Sequence, residues 1–269
     1  MAPLLTVASL VKRHHRWRSV GGGATTTVLE DISFSVAEGE TVAIAGASGS
    51  GKSTLALCLA CLELPTAGSI SFEGRELAAL SERELRAVRP RIQLVFQDPA
   101  SSLNPRLSAL EAVTEPLVVQ GMSSAAERSE RARQLFERVG LSFRMASRAV
   151  AALSGGQRQR LAIARALTLK PRVLLLDEAL SALDASVQAQ VANLLLDLQQ
   201  SEGYACVFIT HDLAMAARVA SRILVLDRGR IVEQGPLNSV LEKRAHPATQ
   251  ALIAATPRWE VPSSGQGNR

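Results

Sequence analysis

Residues 41–62 constrain the fold more than any other stretch. TVAIA is a short apolar run, the next nine residues read GASGSGKST, and LALCLACL follows. The first run has the length and composition of a buried strand, and the last is an apolar helical segment. The nine residues between them must therefore turn a strand into a helix. Gly46, Gly49 and Gly51 let the backbone turn there with its N–H groups facing one concavity. The helix behind them adds the positive end of its dipole, so the unit is built to hold an anion.

GASGSGKST fits G-x-x-x-x-G-K-[ST], a phosphate loop, in the strand-to-helix context the motif requires. Gly46, Ala47, Ser48, Gly49, Ser50 and Gly51 supply the loop backbone. Lys52 is expected to neutralise β- and γ-phosphates, Ser53 to bind Mg²⁺ and Thr54 to support the α- and β-phosphates. VLLLDE (173–178) supplies the matching acids: Asp177 for the Mg²⁺ shell and Glu178 to orient and polarise the attacking water. In FITHD (208–212), His211 lies just beyond another apolar run, where an imidazole reaches the γ-phosphate. IQLVFQ (92–97) reads as a strand ended by Gln97, whose amide can meet Mg²⁺ and water.

With ILVLD (223–227), these runs are too apolar to alternate, as in a parallel sheet buried on both faces. Helical patterns lie between them at 52–62, 125–139, 157–169, 185–201 and 212–220, which is the α/β arrangement. LLTVASLV, TTVLEDISFSV and GSISFEG read instead as half-buried antiparallel strands. Residues 100–150, with Pro99, Pro105 and Pro116 nearby, read as a mainly helical insertion between two core strands. The polar end after Pro257 reads as a frayed tail.

Aromatics are only 3% and the arginines are scattered, so no nucleic-acid surface is expected. The three cysteines argue for a reducing compartment, and the pair in CLAC reads as two small buried side chains. No uncharged apolar run is long enough to span a bilayer, and the N-terminus lacks a signal-peptide core. The chain is expected inside the cell, reaching a membrane only by docking to something that spans it.

GASGSGKST, VFQDP, LSGGQ, VLLLDE, SALD and ITHD occur in the order found in the ATP-binding subunits of ATP-binding cassette (ABC) transporters, and over residues 4–257 the chain resembles that family. The resemblance implies a P-loop NTPase core of the RecA-like kind, with an N-terminal antiparallel β subdomain (about 1–40 and 66–76) and an inserted α-helical subdomain (about 98–157). It makes 1–257 a single domain, followed by a flexible 258–269. It also explains a second anion cradle, LSGGQRQR (153–160). Such subunits pair head to tail, and Ser154, Gly155, Gly156 and Gln157 would cap the γ-phosphate held by the other chain's loop. SALD (181–184) would carry signals between the two sites. The implied cofactors are ATP and Mg²⁺. The implied partners are membrane-spanning permease subunits, a second ATPase subunit (identical or not) and an external solute-binding protein, with this chain peripheral on the cytoplasmic face of the inner membrane.

VFQDPASSLNPR, SVQAQVANLLLDLQ and HPATQALIAATP resemble the peptide and nickel uptake branch. Ala179, where most relatives have proline, resembles the second ATPase of nickel importers, and no cysteine-bearing tail follows AATPR. Nickel is therefore the expected cargo, with di- or oligopeptides or a metal chelate as alternatives. A cassette ATPase acting outside transport is a more distant one. The family stacks an aromatic on adenine; no tyrosine stands in that region here, and His14 or Trp17 is expected to serve. His14 and His15 are not expected to bind nickel, since two ligands on one segment make a poor site.

Overall fold

The apolar runs become the centre of a six-stranded sheet because no face of them tolerates water. In this computed structural model, which describes residues 3–16, 24–99, 102–121, 124–181 and 183–256, β3 (Thr41–Ala45), β7 (Val173–Asp177) and β8 (Ala205–Thr210) are buried at every position. They pair in parallel with β6 (Ile92–Val95) and β9 (Arg222–Asp227). Half-exposed β10 (Arg230–Pro236) closes one edge antiparallel to β9, giving the order β10-β9-β3-β8-β7-β6. A second sheet, β2-β1-β4-β5, is antiparallel. It joins β1 (Leu5–Arg16), β2 (Ala24–Val36), β4 (Ala67–Phe72) and β5 (Arg75–Glu76).

Helix α1 (Lys52–Leu59) lies between the sheets. Its Leu55, Ala56 and Leu59 meet Leu10, Leu29 and Ile32 of the small sheet and Ile44, Leu175 and Val207 of the large one in a single core. Each fully buried leucine there contributes roughly 1.5–3 kcal/mol relative to an exposed one. Cys58 and Cys61 are in the same core, and burial pushes both thiols up to about 11, which keeps them protonated and unreactive at neutral pH.

After α2 (Glu82–Val88), the chain between β6 and β7 builds α3 (Ala109–Val119), α4 (Ala125–Arg138) and α5 (Gly155–Leu167). Each of these four helices starts with a capping box: Ser81/Glu84, Ser108/Glu111, Ser124/Glu127 and Ser154/Gln157. Helices α3, α4 and α5 share a core with α6 (Ala185–Glu202), whereas Leu85 and Val88 of α2 join the core around α1. Helices α7 (Leu213–Val219), α8 (Leu237–Lys243) and α9 (Pro247–Ala255) cover the other end against β3 and β9. No helix among the described residues is long and apolar enough to cross a membrane. The tail expected at 258–269 lies outside the described residues.

Candidate functional site

The C-terminal ends of the parallel strands converge on the phosphate loop, as binding sites do in open α/β sheets. Gly46 follows β3 where a Cβ would stand 2.4 Å from the Leu226 carbonyl oxygen and 2.6 Å from Ser50 Oγ, so only glycine fits. Gly49 and Gly51 adopt φ of 78° and 106°, the left-handed conformations glycine accepts without strain. Lys52, 4% exposed, folds back over the loop and donates to the carbonyls of Gly46 (2.9 Å) and Ala47 (3.0 Å).

The acids arrive from β7. Asp177 is its last residue and is buried. Burial pushes its carboxyl above the usual range, and the Ser53 hydroxyl, hydrogen-bonded to it, pulls the other way. Its Oδ1 is buried without a hydrogen-bond partner among the described atoms. A cation would satisfy that oxygen, so Asp177 and Ser53 fit Mg²⁺ chemistry. Glu178 turns out of the strand at φ 46°, held by its N–H on the Ile209 carbonyl (3.0 Å). That turn carries one carboxylate oxygen to Lys52 Nζ (3.2 Å) and the other to His211 Nδ1 (3.3 Å). His211 stands just beyond β8, followed by Asp212, whose side chain caps α7. A base, a cation and an imidazole thus converge beside the loop's backbone donors.

Gln97 is not a strand residue: β6 ends at Val95, and Gln97 is exposed in the bend that follows. The turn at Asp98–Pro99 is what shortens the strand. His14 is not brought to the loop. Its Nε2 faces Glu63 (3.9 Å), past the C-terminal end of α1, whereas the phosphate loop opens that helix. Trp17 lies outside the described residues.

Ser154 caps α5, its Oγ accepting from Gln157 N–H (3.3 Å) while Gln157 Oε1 accepts from Ser154 N–H (2.9 Å). No hydrogen bond or ion pair among the described residues joins this end to the phosphate loop. At Gly155 an added Cβ would meet nothing within 4 Å. Nothing among the described residues requires glycine there, although glycine in a helix costs about 0.5–1 kcal/mol relative to alanine. The capped N-terminus of α5 is exposed at Ser154 and Gly155.

Pro247–Ala255 of HPATQALIAATP forms α9, one wall of a cleft of about 800 Å³ whose opposite wall carries Ala47, Ser48, Glu178 and His211. Neither that wall nor the contact of Leu226 with Gly46 was expected, because each joins residues distant in the chain and no local pattern encodes it.

Residues 29–181 match the family described as ABC transporter. The chain is 52% identical over 245 residues to the "Probable peptide ABC transporter ATP-binding protein" of Sinorhizobium fredii, covering 88% of this chain and 69% of that protein. It is 43% identical over 258 residues to a di/tripeptide transport ATP-binding protein of Pseudomonas aeruginosa, covering 96% and 80%. A dimeric ATP-binding cassette in a post-hydrolysis state with ADP and Pi superposes with a TM-score of 0.78 at 34% identity, over 87% of this chain and 98% of that one.

Proposed function

The chain belongs to the ABC transporter family, and on that premise we propose that it is the ATP-hydrolysing subunit of a peptide importer. The observation that carries the ATPase reading is the Glu178 carboxylate, shared between Lys52 at 3.2 Å and His211 at 3.3 Å beside the phosphate loop. The loop N–H groups from Gly49 to Thr54 receive the phosphates, and Lys52 neutralises the β- and γ-oxygens. Ser53, Asp177 and Gln97 would hold Mg²⁺, which when bound screens charge on those oxygens. Glu178 accepts a proton from the attacking water, and His211 fixes the carboxylate and donates toward the γ-phosphate. Ser154, Gly155, Gly156 and Gln157 of a second cassette complete the site, offering an exposed capped helix end to the γ-phosphate. ATP then joins two cassettes, and hydrolysis parts them.

The segment after Gln97 contacts a membrane-spanning subunit, which turns closing and opening into transport. An external solute-binding protein delivers the cargo, and the chain works peripherally on the cytoplasmic face of the inner membrane. Peptide displaces nickel as the cargo because the relatives above are named for peptides. Ala179, the residue that favoured nickel, is 1% exposed and packs in the core beside α5 and α6, so it reports on packing rather than cargo.

Uptake of a radiolabelled dipeptide and of nickel by cells carrying this chain or its Glu178→Gln variant tests both halves. The expected result is loss of dipeptide uptake with nickel uptake intact. Loss of nickel uptake alone would restore the nickel reading, and loss of neither would sink the transport role.

A further inference from the structure

The hairpin joining β9 to β10 has a two-residue loop, Arg228–Gly229, with Asp227 paired to Arg230. Both loop residues have positive φ, 44° and 79°, the signature of a type I′ turn. An ordinary hairpin tip points into water. This one is wedged between the phosphate loop and β2. Gly229 N–H donates to the Ser50 carbonyl (2.9 Å), and the Gly229 carbonyl accepts from Glu30 N–H (2.8 Å). The approach is close enough that a Cβ on Gly229 would lie 2.3 Å from the Val28 carbonyl oxygen and 3.3 Å from Leu29 Cα. The same stretch of β2 presses on the loop directly: a Cβ on Gly51 would lie 2.8 Å from Leu29 Cδ2 and 3.0 Å from the Val28 oxygen.

We propose that Gly229 is a positioning residue for the phosphate loop. A trans peptide holds its C=O and the following N–H in one plane, pointing in opposite directions. Tying the Ser50 carbonyl to Gly229 therefore aims the Gly51 N–H away from the hairpin, toward the concave side of the loop. The tip spans the two sheets, so β2 and the loop keep one spacing. The neighbouring Arg230–Glu30 ion pair (2.6 Å) is about half exposed on both sides and adds little to this. The inference rests on reading residues 46–54 as the nucleotide cradle.

The test substitutes Gly229→Ala and Gly229→Asn in the full chain, with Gly39→Asn as control. Asparagine tolerates positive φ, so it relieves backbone strain but keeps the Cβ clash. Gly39 has φ 67° and open space around its Cβ position. Both Gly229 variants are expected to raise KM for ATP and Kd for ADP together by about tenfold, with kcat at saturation held within about twofold. Glu178 and His211, carried by β7 and β8, are untouched, which is why kcat persists. Gly39→Asn is expected to match the wild type. A lower Tm and a lower kcat with unchanged KM would overturn the proposal, since a purely structural glycine behaves that way. Should neither variant fold, amide exchange in the wild type decides. Gly229 N–H is expected to be protected with or without ADP, and Gly51 N–H to gain protection when ADP is added. Exchange of Gly229 at the rate of a free turn amide would overturn the proposal. A wild type that binds neither ADP nor ATP would instead sink the cradle reading.

Discussion

Lys52→Ala abolishes nucleotide binding: the Kd for ATP rises by at least about 100-fold, and hydrolysis at micromolar ATP disappears. The ammonium is buried and its three oxygen contacts are all within the site, on Gly46, Ala47 and Glu178. Removing it takes away the charge that meets the phosphates. It also leaves the Glu178 carboxylate, 16% exposed, without its counter-charge and facing an incoming polyanion. Both effects act in the same direction. Lys52→Arg does not rescue, because a planar fork cannot fold back onto two adjacent carbonyls as a compact ammonium does. Equilibrium dialysis with labelled ATP reads the effect, with Lys12→Ala as control. Lys12 also bridges a carboxylate and a carbonyl, on Glu63 and Leu64, yet its removal leaves ATP affinity unchanged.

Glu178→Gln separates binding from chemistry. The amide has the size of the carboxylate and keeps a hydrogen bond to His211, but it cannot accept the proton of the attacking water. Hydrolysis falls by about 10²–10⁴-fold, while the Kd for ATP stays within about twofold or tightens. The loss appears in kcat at saturating ATP, where the Lys52 variant loses affinity instead. Single-turnover hydrolysis of labelled ATP, measured alongside dialysis, distinguishes them. Hydrolysis at the wild-type rate would remove Glu178 from its role.

The parts of this machine that can be read from sequence are those encoded by neighbours. Val173–Asp177 and Ala205–Thr210 are recognisable strands because burial on both faces demands an unbroken apolar run. The loop at 46–54 is recognisable because its glycines, lysine and hydroxyls act within one turn. Boundaries were less legible where chemistry pulled against burial. Phe96 and Gln97 extend an apolar run that the Asp98–Pro99 turn has already ended. Gly155 and Gly156 look unsuited to a helix, yet the Ser154/Gln157 capping box starts α5 at Gly155. Helices α2 and α3 carry local signals of their own, Ser81 with Glu84 and Ser108 with Glu111. Pro116 removes the N–H that would reach the Ala112 carbonyl, yet α3 continues to Val119.

Side-chain direction could not be read at all. The imidazole of His14 faces Glu63, a neighbour that no local pattern names. The wedge of Gly229 between Ser50 and Glu30, and the wall that α9 gives the cleft, follow from the order of strands in the sheet, not from any local pattern.

The central claim is that ATP is held between two cassettes until Glu178 assists its hydrolysis. Light scattering on the purified Glu178→Gln protein tests it most directly. In Mg²⁺ and ATP the mass is predicted to double from that of one 28.6 kDa chain, and in ADP to remain single. Adding Ser154→Arg, which blocks the exposed end of α5 but leaves the phosphate loop alone, is predicted to abolish the doubling while ATP binding persists. A doubling that appears in ADP as well as in ATP, or one indifferent to Ser154, would contradict the account.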